Sequence, residues 1–250
     1  MDSTRPGKGP SKYPVHLSFD EQAAAYDRWF ATSLGHLTDA VEMQAIFGLM
    51  PDVLGQHILE IGCGTGSFSL ALANRGAQVV GFDCSEPMLA KAQSKFRSQK
   101  SALFLVKGLA SYLPFTDESF DGVVCLLALD FMTERETVLR EMTRVLRPGG
   151  FLSVGILNRF SLWTAKRLIK AWFKPSLWRE VRFMTARELW RLLAGQPELA
   201  NIRMRRAVYF PPWGNRYFMP YYNKLEKLGA RLNLPTGAFL AAAATKRIKK

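Results

Sequence analysis

The chain has 250 residues, of which 48% are apolar, a net charge of +13 and three cysteines. This size fits one large domain, or a domain with insertions, around a sizeable core. Without CxxC spacing, the cysteines exclude a disulfide framework or a cysteine zinc site, and we expect a reducing, cytoplasmic setting. No run approaches the ~18 apolar residues of a membrane span. No apolar run follows the early positive charges, so we expect no signal peptide.

The charge is unevenly distributed along the chain. Residues 1–150 carry 14 Lys/Arg and 17 Asp/Glu, whereas residues 151–250 carry 20 Lys/Arg and 4 Asp/Glu. The C-terminal part is therefore strongly basic, which indicates an anionic partner there, such as lipid, nucleic acid or an acidic substrate. A solvated basic surface without a partner is the alternative.

The N-terminal segments precede the regular pattern. Residues 1–14 are rich in Gly, Pro, Ser and Lys without an apolar period, which predicts a disordered arm. Residues 15–56 contain apolar residues at helical spacing and predict a helical cap. From His57 onward, short apolar runs alternate with helical patterns. The five predicted strands are His57–Cys63, Gln78–Cys84, Ala102–Lys107, Phe120–Leu129 and Phe151–Leu157.

Capping and stop signals delimit the predicted helices. Thr133 and Glu136 form a capping-box pattern that predicts a helix ending at the sequence Arg-Pro-Gly-Gly, 147–150. Thr185 and Glu188 form a second capping box. The predicted helices are Ser67–Asn74, Glu86–Ser98, Thr133–Leu146 and Thr185–Leu193, and two final strands are predicted at Ile202–Phe210 and Ala238–Thr245. This alternation predicts a mostly parallel, doubly wound α/β sheet of seven strands.

Candidate ligand groups follow several of the predicted strands. Glu60 and three alternating glycines, Gly62, Gly64 and Gly66, follow the first strand, and Asp83 ends the second. A glycine-rich turn admits a ligand close to the backbone and directs a helix N-terminus at it. Because Glu60 would repel a pyrophosphate, a nucleoside site without a phosphate clamp is predicted at the strand ends.

Four sequence blocks resemble the class I S-adenosylmethionine-dependent methyltransferases, and among them the quinone-biosynthesis type. The blocks are Leu59–Gly66, Val80–Leu89, Leu113–Asp121 and Glu141–Gly150, in the family's order and spacing. The resemblance implies a Rossmann-like domain over residues 15–250. Its cofactor-binding core would be residues 57–157, and acceptor-side insertions at 158–184 and 211–234 would follow strands five and six. The cofactor would be S-adenosylmethionine and the product S-adenosylhomocysteine.

The resemblance also implies site residues. Glu60 would lie near the methionine amino end, Asp83 would hold the ribose hydroxyls, Met88 would cover the adenine and Leu126 would lie beside the methionine. Ala110 would offer its backbone to the adenine edge. The full implied cofactor set is Tyr26, Glu60, Gly62, Cys63, Gly64, Thr65, Gly66, Asp83, Cys84, Met88, Leu109, Ala110 and Leu126.

The chain departs from the family pattern at two positions. Leu109 stands where the family usually places an acid that binds the adenine amino group, and Asp130 stands where it often shows a histidine. Methyl transfer from a sulfonium needs alignment and, for a weak nucleophile, a base, but neither a triad nor a metal. The candidate bases are Asp130, His16 and Tyr26, which is also expected to close the site from the cap.

The segment 159–183 mixes aromatic and basic residues, and several interpretations of it stay open. It predicts a lid over an apolar acceptor pocket, an interfacial helix on an anionic membrane surface, a nucleic-acid contact or a helical hairpin packed into the core. We prefer the lid, and hence methyl transfer to a small apolar or aromatic acceptor. The alternatives are a nucleic-acid-directed enzyme and a non-catalytic cofactor-binding module. Leu126-Leu127-Ala128-Leu129 stands where base-methylating enzymes carry Asn/Asp-Pro-Pro-aromatic, which argues against base methylation.

Overall fold

The structure is a computed structural model that describes residues 27–99, 103–173, 176–179, 181–215 and 217–248. The predicted arm, 1–14, and two of the predicted site residues, His16 and Tyr26, lie outside these ranges. The described residues form a seven-stranded sheet with apolar cores on its two faces, which confirms the predicted doubly wound fold.

The sheet reverses its strand order between β1 and β4. The strands are β1 (His57–Ile61), β2 (Gln78–Asp83), β3 (Leu103–Lys107), β4 (Phe120–Leu126), β5 (Leu146–Leu157), β6 (Leu199–Ala207) and β7 (Phe239–Lys246). Their spatial order is β3-β2-β1-β4-β5-β7-β6, and β7, which pairs antiparallel with both β5 and β6, runs opposite to the other six of these strands. Ligands bind beyond the carboxyl ends of strands at such a reversal, so this edge is where a site is expected.

Helices cover the two faces of the sheet. They are α1 (Ser33–Phe47), α2 (Ser67–Ala73), α3 (Glu86–Gln99), α4 (Arg135–Val145), α5 (Leu162–Phe173), α6 (Ala186–Ala194) and α7 (Tyr222–Arg231). One core contains Leu139 of α4 and Leu189 of α6. The other contains Ile46 of α1, Trp163 of α5 and Tyr222 of α7. The cap and both insertions therefore share a core on one side of the sheet.

The predicted fourth strand was too long. β4 ends at Leu126 because Leu127 adopts φ +57°, a left-handed conformation that a strand cannot continue. The backbone N–H of Leu127 still donates to the carbonyl of Gly155, 2.8 Å away. A 3₁₀ turn, Leu129–Phe131, follows in place of the predicted strand end.

The capping box predicted at Thr133 was wrong, whereas the one at Thr185 is confirmed. Helix α4 begins two residues later, at Arg135, and its N-cap residue makes no side-chain cap bond. The Arg135 side chain instead bonds the carbonyls of Leu129 and Asp130, so it holds the preceding 3₁₀ turn. At α6, Thr185 and Glu188 exchange both bonds of the capping box.

The sixth strand also differs from its predicted bounds. β6 starts at Leu199 and ends at Ala207, three residues before the predicted end, because Val208 adopts φ +63°. Its pairing with β7 shifts register between Ala200 and Arg203. This shift coincides with the left-handed conformation of Asn201, φ +52°.

Candidate active site

The glycine turn after β1 folds as the sequence predicts, with all three alternating glycines at positive φ. The φ angles of Gly62, Gly64 and Gly66 are +70°, +53° and +76°. A Cβ on Gly62 would lie 2.2 Å from the Cβ of Ala128, whereas one on Gly64 would meet nothing within 4 Å. The turn therefore packs against the end of β4 at Gly62 and faces open space at Gly64.

Asp83 fixes this turn from the end of β2. One carboxylate oxygen accepts from the Gly64 backbone N–H at 2.8 Å, and the other accepts from the Ser85 backbone N–H at 2.9 Å. The side chain also lines a cavity above the strand ends. A carboxylate held in this way suits the adjacent hydroxyls of a ribose.

Glu60 is the acid that the resemblance assigns to the methionine amino end, and this assignment stays a prediction. It is buried beneath the turn, where the Ser69 hydroxyl donates to its carboxylate, and it does not line the cavity. The pKa of Glu60 is raised to about 8, mainly by burial and also by the negative charge of Asp83, against the lowering by Ser69. The acid supports the turn from below.

A charged network that the sequence did not reveal joins the cap to the turn. The Asp27 carboxylate accepts from Lys95 Nζ at 2.9 Å and from the Thr65 hydroxyl at 2.7 Å. Lys95 also donates to the hydroxyls of Thr65 and Ser67. Burial raises the pKa of Asp27, but the bonds from Lys95 and Thr65 outweigh it and leave this pKa below its ordinary value. Thr65 thus helps to attach the cap to the glycine turn.

One large cavity, of about 1220 Å³, extends above the carboxyl ends of the strands. Its first half is lined by predicted cofactor residues, namely Gly62, Gly64, Asp83, Cys84, Met88, Leu109, Ala110 and Leu126. The other described members of the predicted set lie behind this wall. The Cys63 thiol packs against Gly81, and Gly66 packs against Ala92 and Phe96.

The second half of the cavity is aromatic and is built by the cap and the insertions. It is lined by the side chains of Trp29, Phe131, Trp163 and Trp178. The Trp163 indole N–H donates to the carbonyl of Phe210 at 2.8 Å, and this bond joins the first insertion to the residue that directly precedes the second. An aromatic cavity of this kind suits an apolar or aromatic ligand.

Asp130, the described candidate base, lies behind the cavity wall. One carboxylate oxygen accepts from the Leu157 backbone N–H at 2.8 Å, which ties the 3₁₀ turn to the end of β5. The other oxygen is buried without a hydrogen-bond partner among the described residues. Burial raises the pKa of Asp130 to about 7, against lowering by Leu157, Arg135 and Arg167. Its catalytic role stays a prediction.

Glu42 and Arg167 are ionisable residues of the cavity lining that were not among the predicted site residues. Glu42 of α1 is buried, and burial raises its pKa to about 8 against the attraction of Arg167. The guanidinium carbon Cζ of Arg167, on α5, lies 4.6 Å from the ring centroid of Trp178 and 5.5 Å from that of Trp163. Glu42 gave no signal because a lone acid on a helix is usually solvated.

The described ranges contain neither a group of side chains that could hold a metal ion nor a helix that could span a membrane. Within them, no group of three or more His, Cys, Asp or Glu side chains is placed to hold a metal ion. No helix in the same ranges is both long and apolar enough to cross a bilayer.

Comparison with known proteins identifies the family. A methyltransferase-domain family model matches residues 59–154. An uncharacterised protein of Mycobacterium tuberculosis is 31% identical over 207 residues, covering 83% of this chain and 68% of the relative. A demethylmenaquinone methyltransferase of Clavibacter sepedonicus is 39% identical over 142 residues, covering 56% of this chain and 57% of that protein.

Solved structures show the same fold. A methyltransferase from Thermotoga maritima superposes with a TM-score of 0.72 at 24% identity, over 93% of this chain and 100% of its own. A phosphoethanolamine N-methyltransferase of Haemonchus contortus, solved with S-adenosylmethionine, gives a TM-score of 0.66 at 17% identity, over 92% of this chain and 57% of its own. The chain therefore belongs to the class I S-adenosylmethionine-dependent methyltransferases, and S-adenosylmethionine is its cofactor.

Proposed function

We propose that the protein transfers the methyl group of S-adenosylmethionine to a small apolar or aromatic acceptor. The observation that carries this proposal is the continuity of the cavity. Its first half exposes Asp83 and the glycine turn, and its second half is lined by aromatic side chains such as Trp163 and Trp178. A donor and an acceptor in the two halves would face each other in a single space.

The residues of the first half fit the cofactor. Gly62 and Gly64 line the cavity, the space beside Gly64 is open, and Asp83 presents carboxylate oxygens suited to ribose hydroxyls. The cofactor, when bound, supplies an activated methyl group on a sulfonium. The protein's own contribution is then alignment of the two ligands and exclusion of water by the cap and insertions.

The proposal is tested in two steps. Titration calorimetry should show binding of S-adenosylhomocysteine to the purified protein. Radiolabelled methyl from S-adenosylmethionine should then appear in a product extracted from a pool of small aromatic and apolar acceptors. Binding without transfer to any member of a broad pool would favour the non-catalytic alternative. Absence of binding at millimolar ligand would refute the proposal.

We further propose that helix α5 contacts an anionic membrane surface. Trp172 and Phe173 at its end are 84% and 79% exposed, and Ile169 is exposed beside them. Lys170 is exposed on the same helix. Exposed aromatics next to lysine suit the headgroup region of an anionic bilayer, where rings insert and ammonium groups meet phosphates.

Vesicle sedimentation tests this contact. The protein should bind vesicles that contain phosphatidylglycerol more tightly than neutral phosphatidylcholine vesicles, and Trp172→Ala with Phe173→Ala should weaken the binding. Binding that the double variant leaves unchanged, or steeply salt-dependent binding to RNA instead, would overturn the assignment to a membrane.

A further inference from the structure

Arg167 is an orphaned cation inside the aromatic half of the cavity. Its guanidinium carbon Cζ lies over the rings of Trp178 and Trp163, 4.6 Å and 5.5 Å from their centroids, and Arg167 lines the cavity wall. Nη1 is buried without a hydrogen-bond partner, and the Arg167 side chain forms no hydrogen bond or ion pair with any residue in the described part of the chain. A buried polar group is normally bonded, so an unbonded guanidinium in a cavity indicates a missing acceptor oxygen.

The neighbouring acids do not supply that oxygen. Glu42 and Asp130 are the acids whose charges act on Arg167, but neither comes within ion-pair distance of it in the described structure. Burial raises the pKa of Glu42 to about 8 and that of Asp130 to about 7. At neutral pH the Glu42 carboxyl is therefore mostly uncharged, and the positive charge of Arg167 is only partly balanced.

The way Arg167 is held determines which ligand it suits. A cation–π interaction with indole rings holds the guanidinium by its charge and does not use its N–H donors, which lie in the guanidinium plane. These in-plane donors match two oxygens of a carboxylate, and a bond to an ionised oxygen is stronger than one to a neutral oxygen. The aromatic walls around Arg167 suit an apolar or aromatic body attached to that carboxylate.

We infer that the acceptor half of the cavity binds a carboxylate-bearing aromatic or apolar molecule, whose carboxylate is held by the in-plane N–H groups of Arg167. This inference rests on the proposed function, because it assigns the second half of the cavity to the methyl acceptor. Arg167 acts here as a binding residue that orients the acceptor towards the cofactor half. Lys170, exposed on the same helix at the cavity mouth, adds charge without being part of this site.

A pair of matched probes tests the inference on the full-length protein saturated with S-adenosylhomocysteine. The probes are 2-naphthoate and its uncharged amide, 2-naphthamide, and calorimetry measures the affinity of each. The wild type should bind naphthoate more tightly by about tenfold or more, the range expected for hydrogen bonds to a charged group. Arg167→Gln should remove this preference and leave the binding of naphthamide nearly unchanged.

The control is Lys170→Gln, which removes the same charge one turn along the same helix. It should retain most of the preference, whereas equal losses in both variants would indicate general electrostatic attraction and overturn the inference. A wild type that binds both probes equally would also overturn it, whether or not Arg167→Gln folds. So would a loss of S-adenosylhomocysteine affinity in Arg167→Gln, because Arg167 would then serve the cofactor's own carboxylate. Failure of the wild type to bind S-adenosylhomocysteine would instead refute the proposed function.

Discussion

Glu60 gives a prediction that isolates one buried acid beneath the glycine turn. Its carboxyl is buried and bonded to the Ser69 hydroxyl, and its pKa is raised to about 8, first by burial and then by the charge of Asp83. Glu60→Gln keeps the shape of the side chain and a carbonyl oxygen that accepts from Ser69. The substitution therefore removes the ionisation and little else.

The sign follows from the proton affinities of the folded and unfolded states. An unfolded glutamate has a pKa of 4.5, so the folded state holds the proton more tightly. The stabilisation from the neutral carboxyl is complete below pH 4.5 and is lost as the pH rises through about 8. Within this window, each pH unit lowers the free energy of unfolding by up to about 1.4 kcal/mol. Between about pH 5 and about pH 8, the wild type should lose roughly 3 kcal/mol relative to Glu60→Gln.

Urea unfolding of the cofactor-free protein across this pH range measures the difference. Glu42 and Asp130 also have raised pKa values, but their contributions cancel when wild type and variant are compared at each pH. Glu136→Gln, an exposed substitution on α4, is the matched control, and its difference from the wild type should vary with pH far less than that of Glu60→Gln. A constant difference for Glu60→Gln would refute the assignment of a neutral carboxyl beneath the turn.

Three further predictions concern the cofactor half. Gly62→Ala should abolish S-adenosylhomocysteine binding in calorimetry, because its Cβ would overlap Ala128. Gly64→Ala should only lower the free energy of unfolding, by about 1–2 kcal/mol, because of its positive φ. Equal effects of the two substitutions in calorimetry and thermal unfolding would contradict this geometry. Asp83→Ala should lose roughly 1–3 kcal/mol of cofactor affinity, and an unchanged dissociation constant would contradict its role. Because Cys84 lines the cavity, bound S-adenosylhomocysteine should slow its alkylation, as followed by peptide mass spectrometry; an unchanged rate would place the cofactor elsewhere.

Local signals in the sequence predicted most of the sheet. β1, β2 and β4 are apolar runs that the sheet buries, and the alternation of such runs with helical patterns is sufficient to predict parallel pairing. The Thr185 capping box was predictable because both partners lie within one helical turn. The ends of β4 and β6 were not predictable, because Leu127 and Val208 adopt left-handed conformations that their residue types disfavour. Tertiary packing decides those positions.

The cofactor half of the cavity was predictable for a related reason. Each of its groups follows a strand directly, and the carboxyl ends of parallel strands meet at one edge. The pairing of Asp27 with Lys95 spans 68 residues, and no local pattern marks either partner. Glu42 and Arg167 could not be predicted for the same reason, because only the folded cavity, which both of them line, brings them together.

The two insertions form one structural unit, and this bears on how the acceptor is selected. Trp163 bonds the carbonyl of Phe210, and Lys166 of the same helix bonds the carbonyl of Pro212, so the first insertion is fixed to the start of the second. Tyr222 of the second insertion stacks on Phe210, with the two ring centroids 5.0 Å apart, and lies in the same core. None of these contacts involves the glycine turn or Asp83. Substitutions in this unit should therefore change the affinity for the proposed acceptor while leaving the dissociation constant of S-adenosylhomocysteine unchanged, and we expect acceptor selection to depend on residues such as Arg167 rather than on the sheet.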